Sequence, residues 1–123
     1  MTNTTPLVGQ VAWITGSSRG LGRVMAEELC ELGAKVAVHG TRPDSPKTFG
    51  EGESMEQVAR DIAAAGNGET MPVWGDMTEE DEVRRVAEEV RANWGQIDIL
   101  VCCAGGDIGA AGTAVGKGGR PED

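Results

Sequence analysis

Short apolar runs alternate along this chain with longer stretches in which apolar residues return every three or four positions. Residues 10 to 15, QVAWIT, form a run of the first kind and predict a buried strand. After a glycine-rich turn, Leu21, Val24, Met25, Leu29 and Leu32 recur at helical spacing, and Gly33 supplies the stop. Residues 35 to 39, KVAVH, are rich in β-branched residues and predict a second strand. Residues 40 to 53, GTRPDSPKTFGEGE, are polar and rich in proline and glycine, the composition of a loop.

Ser54 and Gln57 have the spacing of a capping box. Met55, Val58, Ala59, Ile62 and Ala63 then line one face of a second helix that ends at Gly66. Residues 71 to 75, MPVWG, predict a third strand, and Pro72 suits an edge position. Thr78 with Asp81 marks the start of a third helix, whose inner face is Val83, Val86, Ala87, Val90 and Trp94. Glu80–Arg84 and Asp81–Arg85 are spaced to pair on its outer side, and Gly95 ends it. Residues 97 to 103, IDILVCC, read as a fourth strand covered on both faces. The order β-α-β-α-β-α-β predicts an α/β fold with a parallel sheet and right-handed crossovers. Beyond Cys103 the pattern stops, and residues 104 to 123, AGGDIGAAGTAVGKGGRPED, read as a mobile glycine-rich loop.

Composition narrows the class. A chain of 123 residues with 39% apolar content supports one small domain. Its net charge of −9, from 20 acidic and 11 basic residues, argues against nucleic acid and against an anionic membrane as partners. No apolar stretch reaches the length of a membrane span, and MTNTTPLVGQ has neither the basic nor the apolar region of a signal peptide. Cys30, Cys102 and Cys103 match no zinc spacing, so a reduced, cytoplasmic protein is expected and no metal site.

The chemistry concentrates in residues 14 to 22, ITGSSRGLG. Glycines between a first strand and a first helix let the backbone turn sharply and approach a ligand closely. The helix N-terminus offers unpaired N–H groups and a partial positive charge, which together suit a pyrophosphate. Ser17 and Ser18 offer hydroxyl donors. The spacing Gly16, Gly20, Gly22 is neither a Walker loop nor GxGxxG. The plain alternative is a tight strand–helix connection that binds nothing.

Thr15-Gly16-Ser17-Ser18-Arg19-Gly20-Leu21-Gly22 resembles the TGxxxGxG fingerprint of the short-chain dehydrogenase/reductase family. Gly75-Asp76-Met77-Thr78 is similar to the family's aspartate at the adenine ring, and Asp98-Ile99-Leu100-Val101-Cys102-Cys103-Ala104-Gly105 to its D-x-L-V-N-N-A-G strand. The resemblance covers residues 8 to about 106 and implies a Rossmann-type doubly wound sheet with strand order 3-2-1-4, incomplete at the fourth strand. It divides the chain into an NADP-binding half-domain, residues 1–106, and the loop 107–123 in which the sequence ends. It implies that Gly16, Ser17, Ser18, Arg19, Gly20, Leu21 and Gly22 surround the phosphates. The Asp76 carboxylate would accept from the adenine amino group, the Met77 N–H would meet the ring, and Ala104 and Gly105 would support the nicotinamide ribose. One departure is clear: the family's Asn-Asn is Cys102-Cys103 here, and a thiol cannot copy an amide's paired hydrogen bonds. The two cysteines read either as buried small apolar residues or as a reactive thiol pair.

The acidic residue that holds a ribose 2′-hydroxyl in NAD-binding folds is expected at the end of the second strand. Here that position is Gly40, with Thr41 and Arg42 beside it and Arg19 in the turn. Both arginine placements resemble NADP-preferring members of the family. Hydrogen bonds to charged groups are worth about 1.5–3 kcal/mol each, so two could favour NADP over NAD by about a hundredfold. Arg42 as a solvated loop charge, Asp76 as a cap for the helix near Thr78, and His39 as a structural or adenosine-pocket residue are the readings that stand beside these.

The resemblance implies an NADP-dependent oxidoreductase that moves hydride between nicotinamide and a carbonyl or alcohol substrate. VHGTR is similar to a stretch in some 3-oxoacyl-thioester reductases of the family. The family's catalytic serine, tyrosine and lysine have no counterpart here, since the chain contains no tyrosine. They are expected in a C-terminal portion that would also cover the open fourth strand and support a homo-oligomer. The competing readings are a nucleotide-binding regulatory half-domain and a scaffold that adds strands at its open edge.

Overall fold

Five consecutive buried residues make up β1 (Val11–Thr15), the pattern of a strand inside a sheet with helices on both faces. The computed structural model describes residues 5–42 and 54–103. In chain order β1 is followed by α1 (Gly20–Glu31), β2 (Lys35–Gly40), α2 (Met55–Ala65), β3 (Thr70–Trp74), α3 (Glu80–Trp94) and β4 (Ile99–Cys102). All the pairings are parallel and the strand order is β3-β2-β1-β4, as expected. Trp13 sits opposite Ala37 on one side and Leu100 on the other. Pro72 lies in β3, an edge strand, where its missing N–H costs the ladder least.

Alternation along the strands divides the core in two. Ala12, Ile14, Val36 and Val38 face α1 and α2, packing with Ala26, Cys30, Met55, Val58, Ala59 and Ile62. Val11, Trp13, Ala37 and Val73 face α3 through Val86 and Val90. The Ser54 hydroxyl accepts from Gln57 N–H (3.2 Å), a cap worth about 1 kcal/mol to α2. Asp98 ties β4 to β1 at their starts: its carboxylate accepts from Val11 N–H and its own N–H donates to Val11 C=O, both at 2.8 Å.

Four expectations need correction. The inner face of α1 is Gly22, Ala26 and Cys30, while Leu21 and Val24 are exposed. Small residues on the inner stripe let the helix sit close to the sheet, and that rotates the larger residues outward. The outer face of β4 is not covered by any described element: Ile99 and Val101 are half-buried towards α1, but Leu100 and Cys102 are exposed. Finally, α3 begins at Glu80 with Glu79 as its cap residue, because the Thr78 hydroxyl donates to Asp76 instead of capping. Arg84 pairs with Glu80 (2.7 Å) as expected, but Arg85 pairs with Glu82 and Glu89 and donates to Trp74 C=O, not with Asp81. The loop 43–53 and residues 104–123 lie outside the described residues.

Candidate functional site

The winding of the chain reverses at β1, which has β2 on one side and β4 on the other. In open parallel sheets a ligand crevice forms outside the carboxyl ends of the strands at such a reversal. Four segments meet at that edge: 16–19 after β1, 41–42 after β2, 75–77 after β3, and Cys103 after β4. Cys103 N–H donates to the carbonyl and hydroxyl oxygens of Thr15 (3.2 and 3.0 Å), which holds the chain leaving β4 against the end of β1.

The turn after β1 needs its glycines for separate reasons. Gly16 and Gly20 have φ of +67° and +62°, a region that favours glycine. Gly22 has an ordinary φ, but a Cβ there would stand 2.9 Å from the Gly16 carbonyl carbon and 3.0 Å from Ser17 Cα. The N-terminus of α1 is left open. Arg19 occupies the cap position with extended backbone and no side-chain cap, and the first turn carries no acidic residue. The first turn of α3, in contrast, carries Glu80, Asp81 and Glu82. The first helical bond runs from Arg23 N–H to Arg19 C=O (3.3 Å), so the first-turn amides Gly20 to Gly22 precede the helix's own hydrogen-bond ladder. The aligned peptide dipoles of α1 act at this end like about half a positive charge.

Ser17 departs from expectation. It is fully buried, its hydroxyl donates to Ile14 C=O (2.7 Å) and accepts from His39 N–H (2.8 Å), and its own N–H donates to His39 C=O (2.8 Å). Its one hydroxyl proton is committed within the turn, so it shapes the turn and does not donate outward. Ser18 is also buried.

His39, 2% exposed, is the feature that sequence reasoning left as a pair of options. Its Nδ1 lies 2.8 Å from Gly16 N and its Nε2 2.9 Å from Gly75 O. Burial holds its pKa below the usual histidine value, opposed in part by the Gly75 hydrogen bond. The contacts span 23 and 36 residues, so no local motif announces them. The available signal was a polar ring at the end of an apolar strand, a position that obliges it to find partners.

Gly40 ends β2, and its carbonyl accepts from Gly75 N–H (3.1 Å). The exposed Thr41 and Arg42 follow it, and the half-buried Arg19 lies in the turn. Among the described residues, the end of β2 thus presents no carboxylate. Asp76, after β3, is exposed and its Oδ1 accepts from the Thr78 hydroxyl (2.6 Å) and the Thr78 N–H (2.9 Å). These two bonds, the hydroxyl's first, hold its pKa below the usual carboxylate value. Met77 packs partly into the core beneath α3. Ala104 and Gly105 lie outside the described residues. Cys103 is half-buried, with its Sγ 3.9 Å from Met25 Sδ, but Cys102 is exposed, because β4 is an edge strand. Burial as small apolar residues therefore holds for neither cysteine in full. Among the described residues no group of three or more His, Cys, Asp or Glu gathers as for a metal ion, and no helix is long and apolar enough to cross a membrane.

The short chain dehydrogenase family model matches residues 10–116. The cyclohexanol dehydrogenase of Rhodococcus sp. (strain TK6) is 34% identical over 113 residues, 89% of this chain and 42% of that enzyme. A short chain dehydrogenase from Mycobacterium thermoresistibile superposes with a TM-score of 0.68 at 31% identity, over 78% of this chain and 33% of its own. A metagenomic short-chain oxidoreductase solved in complex with NADP gives a TM-score of 0.62 at 35% identity, over 76% of this chain and 38% of its own. The chain thus spans well under half the length of each of these relatives.

Proposed function

The chain belongs to the short chain dehydrogenase family, and from that premise we propose that it is the cofactor-binding half of an NADP-dependent oxidoreductase acting on a carbonyl or alcohol. The observation that carries this reading is the uncapped N-terminus of α1 behind a turn in which Gly22 lies too close to Gly16 to carry a Cβ, at the carboxyl edge where the winding reverses.

The residues present fit a dinucleotide. The first-turn amides Gly20 to Gly22 meet the pyrophosphate, where the helix dipole favours negative charge. Arg19 and Arg42, with Thr41, receive a 2′-phosphate, and Gly40 leaves no carboxylate to repel it. Asp76 keeps one oxygen, Oδ2, for the adenine amino group while Oδ1 holds the Thr78 turn. Met77 N–H lies against the ring, and Ala104 and Gly105 support the ribose beside the nicotinamide. When bound, NADPH supplies the hydride for the carbonyl.

Proton transfer in this reading belongs to a Tyr-x-x-x-Lys segment with an upstream serine, in the length of the relatives that this chain does not span. The same portion lies along β4 and covers Leu100 and Cys102. A soluble, cytoplasmic location is part of the proposal. NADP bound to one structural relative supports the cofactor choice. The test is a calorimetric titration of the chain with NADPH and with NADH. Tighter binding of NADPH by about tenfold or more supports the reading. Equal affinities overturn the cofactor choice, and no binding of either overturns the nucleotide site.

A further inference from the structure

We propose that His39 is a positioning residue for the phosphate-binding turn: its ring bridges the Gly16 N–H after β1 to the Gly75 C=O after β3, and so decides which amides remain for an anion. This rests on the nucleotide-binding reading above.

The partners leave the ring one tautomer. Gly75 C=O only accepts, so Nε2 carries the proton. Gly16 N–H only donates, so Nδ1 is bare. Both ring nitrogens are thereby used, which removes His39 from proton transfer. The backbone of the same residue holds Ser17 from both sides, N–H to its hydroxyl and C=O to its N–H. The first two amides of the turn, Gly16 and Ser17, are thus turned inward to His39. The anion is left to the first-turn amides of α1, Gly20 to Gly22.

The ring also joins the two ends of the proposed site. Gly16 opens the phosphate turn and Gly75 immediately precedes Asp76 of the adenine end. A neutral ring is required, since a protonated Nδ1 would set one N–H against another. The charged groups that face this end of the ring are Asp76, next to Gly75 in the chain, and Arg85 and Glu82 of α3, whose side chains lie 3.0 and 3.2 Å from where a Cβ on Gly75 would stand; Arg19 lies in the turn at the other end. The contacts made on the ring itself come from uncharged backbone groups.

The test compares the full wild-type chain with His39→Leu and His39→Asn. Nitrogen NMR of the imidazole reads the tautomer without any ligand: one protonated and one bare ring nitrogen are expected. Calorimetry with NADP+ at about pH 7.5 and about pH 5 reads the consequence. His39→Leu is expected to weaken NADP+ by about tenfold or more at the higher pH, with its circular dichroism unchanged. His39→Asn, whose amide oxygen accepts from Gly16 N–H and does not titrate, is expected to restore most of the affinity. It is also expected to lack the part of the acid loss that the wild type owes to the ring; the phosphate's own titration is common to both. Equal affinity of His39→Leu and wild type, or identical pH profiles for wild type and His39→Asn, would overturn the proposal alone. Should His39→Leu not fold, the pH profile of the asparagine variant decides. A wild-type chain that shows the fixed tautomer but binds no NADP+ overturns the nucleotide reading, and the positioning role falls with it.

Discussion

Gly22 packs against the Gly16 carbonyl so closely that a Cβ would stand 2.9 Å from its carbon. Two glycines six positions apart therefore define one surface, the inner wall of the turn. Neither the helix nor the strand end can give way easily, since α1 packs on the sheet through Gly22, Ala26 and Cys30. Gly22→Ala is expected to cost about 1–3 kcal/mol by overpacking and to displace the turn. Urea unfolding would read the first effect and NADPH titration the second. Unchanged stability would show that α1 shifts freely, contrary to its close packing.

Arg42 follows β2, which ends on Gly40 where NAD-binding folds carry a carboxylate. Arg42→Ala is expected to weaken NADPH by about tenfold and NADH little, since only the former carries the 2′-phosphate. Parallel titrations of the two nucleotides measure the ratio. An equal loss for both would assign Arg42 to the loop and leave the discrimination to Arg19 or Thr41.

Much of the fold was legible because its signals are local. Strand runs, glycine stops and the Ser54 cap fell within a residue or two of expectation, and the strand order followed from the family resemblance. What escaped depends on partners distant in sequence. Leu21 and Val24 have helical spacing with Leu29, but the stripe that meets the sheet is chosen by the closeness of the approach, which period alone does not encode. Cys102 alternates with Val101 as a strand should, yet whether its face is covered depends on what lies beyond β4. In the site, the glycines were readable from spacing. The inward commitment of Ser17 was not, because its partner His39 lies 22 residues away.

Trp13 is 4% exposed, and its indole Nε1 has no hydrogen-bond partner among the described residues. An unsatisfied buried donor costs about 1–3 kcal/mol, while trimming indole to phenyl loses packing of similar size. Trp13→Phe is therefore expected to change stability by less than about 1 kcal/mol. Trp13→Ala, which removes the whole side chain from the α3-side core, is expected to lose about 3–5 kcal/mol. Denaturant midpoints for the two variants give the comparison. A loss in Trp13→Phe as large as in Trp13→Ala would mean that the N–H is satisfied in solution.

Burial lowers the pKa of His39 in the folded chain below its unfolded value of about 6.5. The unfolded chain therefore binds more protons in the interval between the two values, and stability rises with pH there. Above about pH 6.5 the neutral ring contributes in full; as pH falls from there through the folded value that contribution is lost, at up to about 1.4 kcal/mol per pH unit. Carboxylates such as Asp76 act in the same direction but lower on the scale, since their stabilisation fades as pH falls through folded values held below the usual range. The difference between wild type and His39→Asn isolates the histidine. Urea midpoints at about pH 7.5 and about pH 5.5 should fall more in the wild type than in the asparagine variant, with the gap opening first below about pH 6.5. Parallel curves would mean that the ring titrates alike in the folded and unfolded chains, and would overturn the neutral ring held against Gly16 N–H.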